Sequence, residues 1–105
     1  MNLPNAITNL VTAQNNFDSQ AYADCFSETA VVFDEGKTHT GKIEIKNWIE
    51  KANQTYKAIM KPLEYSTTEE TLEAEISGDF PGSPLVLTYR FELKDTQIQS
   101  LKITG

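Results

Sequence analysis

The chain has 105 residues, 9 Lys and Arg against 15 Asp and Glu, one His, one Cys and 39% hydrophobic side chains. That is one domain over residues 1–105, long enough to bury about two-thirds of its unfolded surface without disulfides or metals. A net charge of −6 and a pI near 4.6 argue against a nucleic-acid or anionic-membrane surface and leave an acidic globular domain.

Two helices open the chain. Ile7, Leu10, Val11, Gln14 and Phe17 recur every three or four residues, and Pro4 suits a first turn. Asn15 to Asp18 interrupt that spacing, and Asp18 or Ser19 can cap a short second helix with Ala21, Tyr22, Cys25 and Phe26 on one side. This helix is expected to end near Ser27–Thr29. The β-branched and aromatic run Ala30–Asp34 predicts a strand, Glu35-Gly36 a tight turn, and Lys37–Thr40 a short return strand. A two-residue turn pairs Asp34 with Lys37 and Val32 with His39. Gly41 opens a third helix, whose stripe is Ile45, Trp48, Ile49, Ala52 and Tyr56, with Glu44 placed to meet free amides of the first turn. Trp48 on such a stripe reads as core before it reads as a ligand contact.

From Ala58 onward the apolar period becomes two. Ile59–Thr67 alternates through Leu63 and Tyr65, Thr71–Phe80 through Leu72, Ala74, Ile76 and Phe80, and Leu85–Lys94 through Leu85, Leu87, Tyr89, Phe91 and Leu93. Phe80–Pro84 reads as an ordered wide turn. In the last strand, Gln97–Thr104, Ile98 is out of phase with Leu101 and Ile103, which predicts a bulge. Single apolar faces on strands and helices alike predict an α+β domain, three helices on one side of a bent, mostly antiparallel sheet. The opposite face, with Glu73, Glu75, Thr88, Arg90 and Glu92, is solvated or meets a polar partner.

No cofactor motif and no cluster with metal-ligand spacing is present, so neither cofactor nor metal is expected. Cys25, the only cysteine, reads as a buried small hydrophobe. No apolar run approaches the ~18 residues of a membrane span. Met1–Phe17 lacks the basic start and apolar middle of an export signal, so the cytoplasm is the expected compartment.

Two helices, a short hairpin, a helix and then long antiparallel strands resemble the nuclear-transport-factor-2-like superfamily, with its ketosteroid isomerases and SnoaL-type polyketide cyclases. Phe26–Asp34, Thr40-Gly41 leading to Ile45 and Trp48, Ser77–Pro84, and Tyr89–Leu93 with Ile98–Leu101 carry the likeness over nearly the whole chain. The resemblance implies a cone-shaped fold enclosing an apolar pocket, with Phe17, Phe33, Trp48, Tyr65, Tyr89 and Phe91 as lining residues; the alternative is a cone filled by side chains. It also places Asp34 where ketosteroid isomerases keep their general base. The Tyr position of those enzymes reads Leu10 here and their late-strand carboxylate reads Tyr89, so ketosteroid isomerisation itself is not expected. Losing one oxyanion donor typically costs ~10²–10³ in rate.

Three functions follow. The first is a binder of a small apolar molecule. The second is an isomerase- or cyclase-like enzyme on a carbonyl substrate, with Asp34 as base, His39 as a second titrating group and Tyr89 as hydroxyl donor. The third is a homodimeric interaction module using the outer sheet face. Asp34 before Glu35-Gly36 also has a purely structural reading, since Asp commonly bonds backbone amides at turns.

Overall fold

The computed structural model describes all of residues 1–105. Helix α1 (Asn5–Asn15) begins at Pro4, whose carbonyl accepts from the amides of Ile7 and Thr8 at 3.0 Å. Its end is tied to the sheet: the Asn15 amide accepts from Met60 N (2.7 Å) and donates to Met60 O (3.0 Å). Helix α2 (Ser19–Asp24) is capped by Asp18, whose carboxylate accepts from Ala21 N at 3.0 Å.

Here the expected helix end needs correction. Strand β1 (Phe26–Asp34) begins directly after Cys25, so Phe26 is its first residue and not the end of a helical stripe. Pairing decides this: Cys25 O accepts from Ile98 N at 3.0 Å, and Phe26 aligns with Ile98 in a parallel ladder. The β1–β2 hairpin (β2, Lys37–Thr40) turns through Glu35 and Gly36, at φ 52° and 74°, and pairs Asp34 with Lys37 and Val32 with His39. Positive φ at both central residues matches the right-handed twist of the strands. Helix α3 (Gly41–Tyr56) follows, and its Glu44 carboxylate accepts from Thr40 N at 3.0 Å.

Strands β3 (Ile59–Ser66), β4 (Thr71–Ser77), β5 (Leu85–Lys94) and β6 (Gln97–Thr104) complete one sheet of order β2-β1-β6-β5-β4-β3. Only the β1–β6 pair is parallel. Strand β4 stops at Ser77, short of the expected Phe80, because Gly78 touches the end of α3. A Cβ there would lie 2.5 Å from Tyr56 O, and Asp79 N donates to that same carbonyl at 2.7 Å. Leu63, expected inward, is instead 43% exposed, because the β3–β4 register shifts between Pro62 and Glu64. The bulge expected near Ile98 falls at Gln99. Its side chain accepts from Ser27 Oγ (2.7 Å) and donates toward Thr29 (3.3 Å), bridging the stretch where β1 also leaves register.

These shifts bend the sheet around the helices. Ile7, Leu10, Phe26, Val32, Ile45, Leu72, Ile98 and Leu101 are fully buried between the two layers. Glu73, Arg90 and Glu92 are exposed on the outer face, with Glu75 and Thr88 half-buried beside them. No helix is long and apolar enough to cross a membrane.

Candidate functional site

At one end the two layers do not meet. A cavity of about 390 Å³ lies between the C-terminal half of α3 and the ends of β1, β4, β5 and β6, with 12 of its 17 lining residues hydrophobic. That is within the volume range of small-molecule pockets. Ala52 on α3 and Ala58 just beyond it supply little volume on the helix side, whereas Ile45 earlier on α3 is buried in solid core and Ile49 lies at the boundary, lining the cavity's inner wall.

Strand alternation aims Asp34 into this space. Val32 is fully buried, so Asp34, two residues on, shares its inward face, and Phe33 between them points away and is 42% exposed. Leu87 and Tyr89 face the cavity from β5 by the same parity. Tyr22 enters from α2, its ring 6.1 Å edge-on from Trp48 and 5.7 Å from Phe26. At the rim, Tyr56 meets Phe80 edge-on at 6.1 Å, in the contact that Gly78 permits. On the α1 side, the Gln14 amide donates to Asn53 Oδ1 (3.1 Å) and to Ala58 O (2.9 Å), so that polar corner is internally satisfied.

Asp34, Tyr22 and Tyr89 form an electrostatic unit. Burial raises the Asp34 carboxyl above the usual range and Glu35 adds to this, while His39 and the Trp48 indole N–H pull it back down. Burial raises both phenols as well, and the nearby Asp34 charge pushes each of them further. Tyr22 and Tyr89 are 2% and 7% exposed, yet their hydroxyls take no part in the protein's hydrogen-bond network and are not sealed-in unsatisfied atoms. Both oxygens therefore open onto the cavity. A carboxylate with raised proton affinity beside two free phenols can accept, donate and share protons with a bound molecule.

The structure thus brings Asp34, Trp48 and Tyr89 together on the cavity wall. His39 lies behind Trp48, stacked on it at 5.2 Å, and does not line the cavity. Four of the expected lining residues stand elsewhere. Phe17 is 44% exposed beyond the end of α1, Phe33 is on the outer sheet face, Tyr65 is half-buried on edge strand β3, and Phe91 is packed in the core. Leu10 is likewise fully buried in solid core. Cys25 is buried, its Sγ–H donating to Ala21 O (3.4 Å), and burial pushes its thiol up to about 11. No three His, Cys, Asp or Glu side chains converge on a common point.

Tyr22, Tyr56 and Phe80 were not singled out as site residues by the sequence. Tyr22 did carry a signal: a phenol on a buried stripe needs somewhere to put its hydroxyl. The contact of Tyr56 with Phe80 depends on Gly78, and nothing in the local pattern foretells it.

No family model matches the sequence, and neither does any curated protein. Solved structures do. A Sinorhizobium meliloti protein provisionally named a polyketide cyclase is 36% identical, with 97% of this chain and 95% of that one aligned at a TM-score of 0.90. A Catenulispora acidiphila protein of ketosteroid isomerase-like fold, solved in complex with trimethylamine, aligns at 18% identity and TM-score 0.86 over 99% of this chain and 87% of its own. A nuclear-transport-factor-2-like protein from Cytophaga hutchinsonii aligns at 14% identity and TM-score 0.74 over 94% of this chain and 85% of its own.

Proposed function

The chain belongs to the nuclear-transport-factor-2-like superfamily, in its SnoaL-like, polyketide cyclase-like group, and from that premise we propose that it binds one small organic molecule in the cavity beside Asp34. The observation that carries this reading is the hollow itself, with Asp34, Tyr22 and Tyr89 opening into it from otherwise apolar walls. These groups keep hydrogen-bonding capacity that the apolar walls do not use, and an occupant that displaces water must meet it or bear the cost of leaving it unmet. A related fold solved with trimethylamine shows that this architecture can be found with a small organic partner.

The test is a fluorescence titration with N-phenyl-1-naphthylamine, a neutral apolar probe. Saturable binding that Ala52→Trp abolishes is the expected result, because the indole would fill the space above Ala52. Absence of binding to the wild-type chain would overturn the reading.

The three polar groups favour a second reading, proton-transfer chemistry at a carbonyl compound. Asp34 would take a proton from the carbon next to the carbonyl, the C–H electron pair would move to the oxygen as an enolate, and the Tyr22 and Tyr89 hydroxyls would donate to that oxygen. Returning the proton at another carbon gives isomerisation, and attack of the enolate carbon on a second carbonyl gives ring closure. Deuterium uptake into a cyclic ketone in D₂O, followed by NMR, checks it: Asp34→Asn should remove the protein-dependent exchange.

A further inference from the structure

The ligand-binding reading leaves the charge of the occupant open, and the lining decides it. We propose that the cavity takes a cation, a small protonated or quaternary amine held among Tyr22, Trp48, Tyr56, Phe80 and Tyr89 with its charge toward Asp34.

Five of the 17 lining residues are aromatic, and the only charged ones are Asp34 and Glu35; there is no Lys, Arg or His. The negative faces of aromatic rings attract a cation, and the attraction grows when water is excluded. Asp34 has no cationic partner of its own, since the single ion pair of the protein joins Lys42 to Glu28 at 3.6 Å. His39, stacked on Trp48 outside the cavity, pulls the Asp34 carboxyl down but makes no ion pair with it. Lys37 and Lys102 border an adjoining outer groove that shares Asp34, Glu35, Leu87 and Ile103 with the cavity, but both lysines are exposed and water screens them. The phenolic oxygens of Tyr22 and Tyr89 are free to accept from an ammonium N–H or to face a methylated nitrogen. A neutral occupant would leave the Asp34 carboxylate partly desolvated and unpaired, whereas a cation satisfies it in place. The surplus of acidic side chains over the whole chain adds a field of the same sign.

The inference rests on the ligand-binding reading, and the experiment separates the two. Calorimetric titration of the full chain compares choline with 3,3-dimethylbutan-1-ol, its neutral isostere with carbon in place of nitrogen. The expected result is choline binding at least about tenfold tighter. Asp34→Asn is expected to bring the ratio close to one, and Trp48→Leu, which keeps the carboxylate, to reduce it. Equal or tighter binding of the isostere overturns the charge assignment and leaves the ligand-binding reading intact. Failure of both compounds overturns the charge assignment, and the naphthylamine titration then decides the broader reading. The wild-type ratio is sufficient by itself if either variant fails to fold.

Discussion

The interior has two ends built by the same four strands, one solid and one hollow. Going along β5, Leu87 and Tyr89 face the cavity and Phe91 is packed; along β6, Ile103 faces the cavity and Leu101 is packed; along β4, Ile76 gives way to Leu72; along β1, Asp34 gives way to Val32. The boundary is therefore a plane cutting across the strands, not a property of any one of them. Alternation determines which side chains face inward. Whether they meet anything depends on the helical layer opposite, where Leu10 of α1 and Ile45 of α3 fill the solid end, and Ala52, with Ala58 just past α3, leaves the other open.

Truncating matched leucines breaks this comparison most severely. Leu72→Ala at the solid end should cost about 3–4 kcal/mol, the usual penalty for a leucine removed from close packing. Leu87→Ala on the hollow wall loses fewer contacts and should cost about 1 kcal/mol, since no sealed void is made. Urea unfolding monitored by Trp48 fluorescence measures both. Equal costs would mean that the cavity closes in solution.

Asp34 gives a smaller effect with a definite sign. Burial, reinforced by Glu35, raises its proton affinity in the folded state despite the opposing pull of His39 and Trp48. Its favourable contribution is thus complete below the ordinary carboxylate range and is lost as pH rises through the raised value. Asp34→Asn, which mimics the protonated form, should therefore be more stable than wild type at pH 7. The difference should shrink to nothing near pH 3.5. Thermal unfolding across that range is the measurement, and a variant less stable at neutral pH would contradict the assignment of burial as the dominant cause.

Much of this architecture was legible beforehand, because period and turn chemistry act locally. The hairpin register, the α3 stripe, the four later strands and the bulge near Ile98 all follow from side-chain spacing. What was misread involves parity or distance. Ala30-Val31-Val32-Phe33 is apolar throughout, so the run hides which residues face inward; yet Asp34 and its neighbour Phe33 cannot both enter one cavity. Leu63 alternates correctly with Tyr65 but falls at a register shift that only its pairing partner reveals. Phe91 shares the face of Tyr89 and differs only in lying beyond the plane where packing becomes complete. Tyr22 and Asp34, on consecutive elements, meet Tyr89 from a strand far along the chain, and no local spacing encodes that meeting.

Phe17 gives the smallest and sharpest test, because the resemblance places it in the pocket and the structure does not. Helix α1 ends there: Phe17 N donates to Gln14 O (3.1 Å) and Asp18 N to Ala13 O (2.9 Å), with Phe17 left-handed at φ 54°. Glycine is the favoured residue at this position of such a helix end, and an L side chain there costs about 1–2 kcal/mol. The ring is 44% exposed, so its removal forfeits only part of a phenylalanine's burial. The greater freedom of unfolded glycine offsets about 0.5–1 kcal/mol of the relief. These opposing terms nearly cancel, so Phe17→Gly should change stability by less than about 1 kcal/mol. Naphthylamine binding should be unchanged, since the ring stands outside the cavity. A weakened probe together with a loss above about 1 kcal/mol would return Phe17 to the pocket and move the boundary between the solid and hollow ends toward α1.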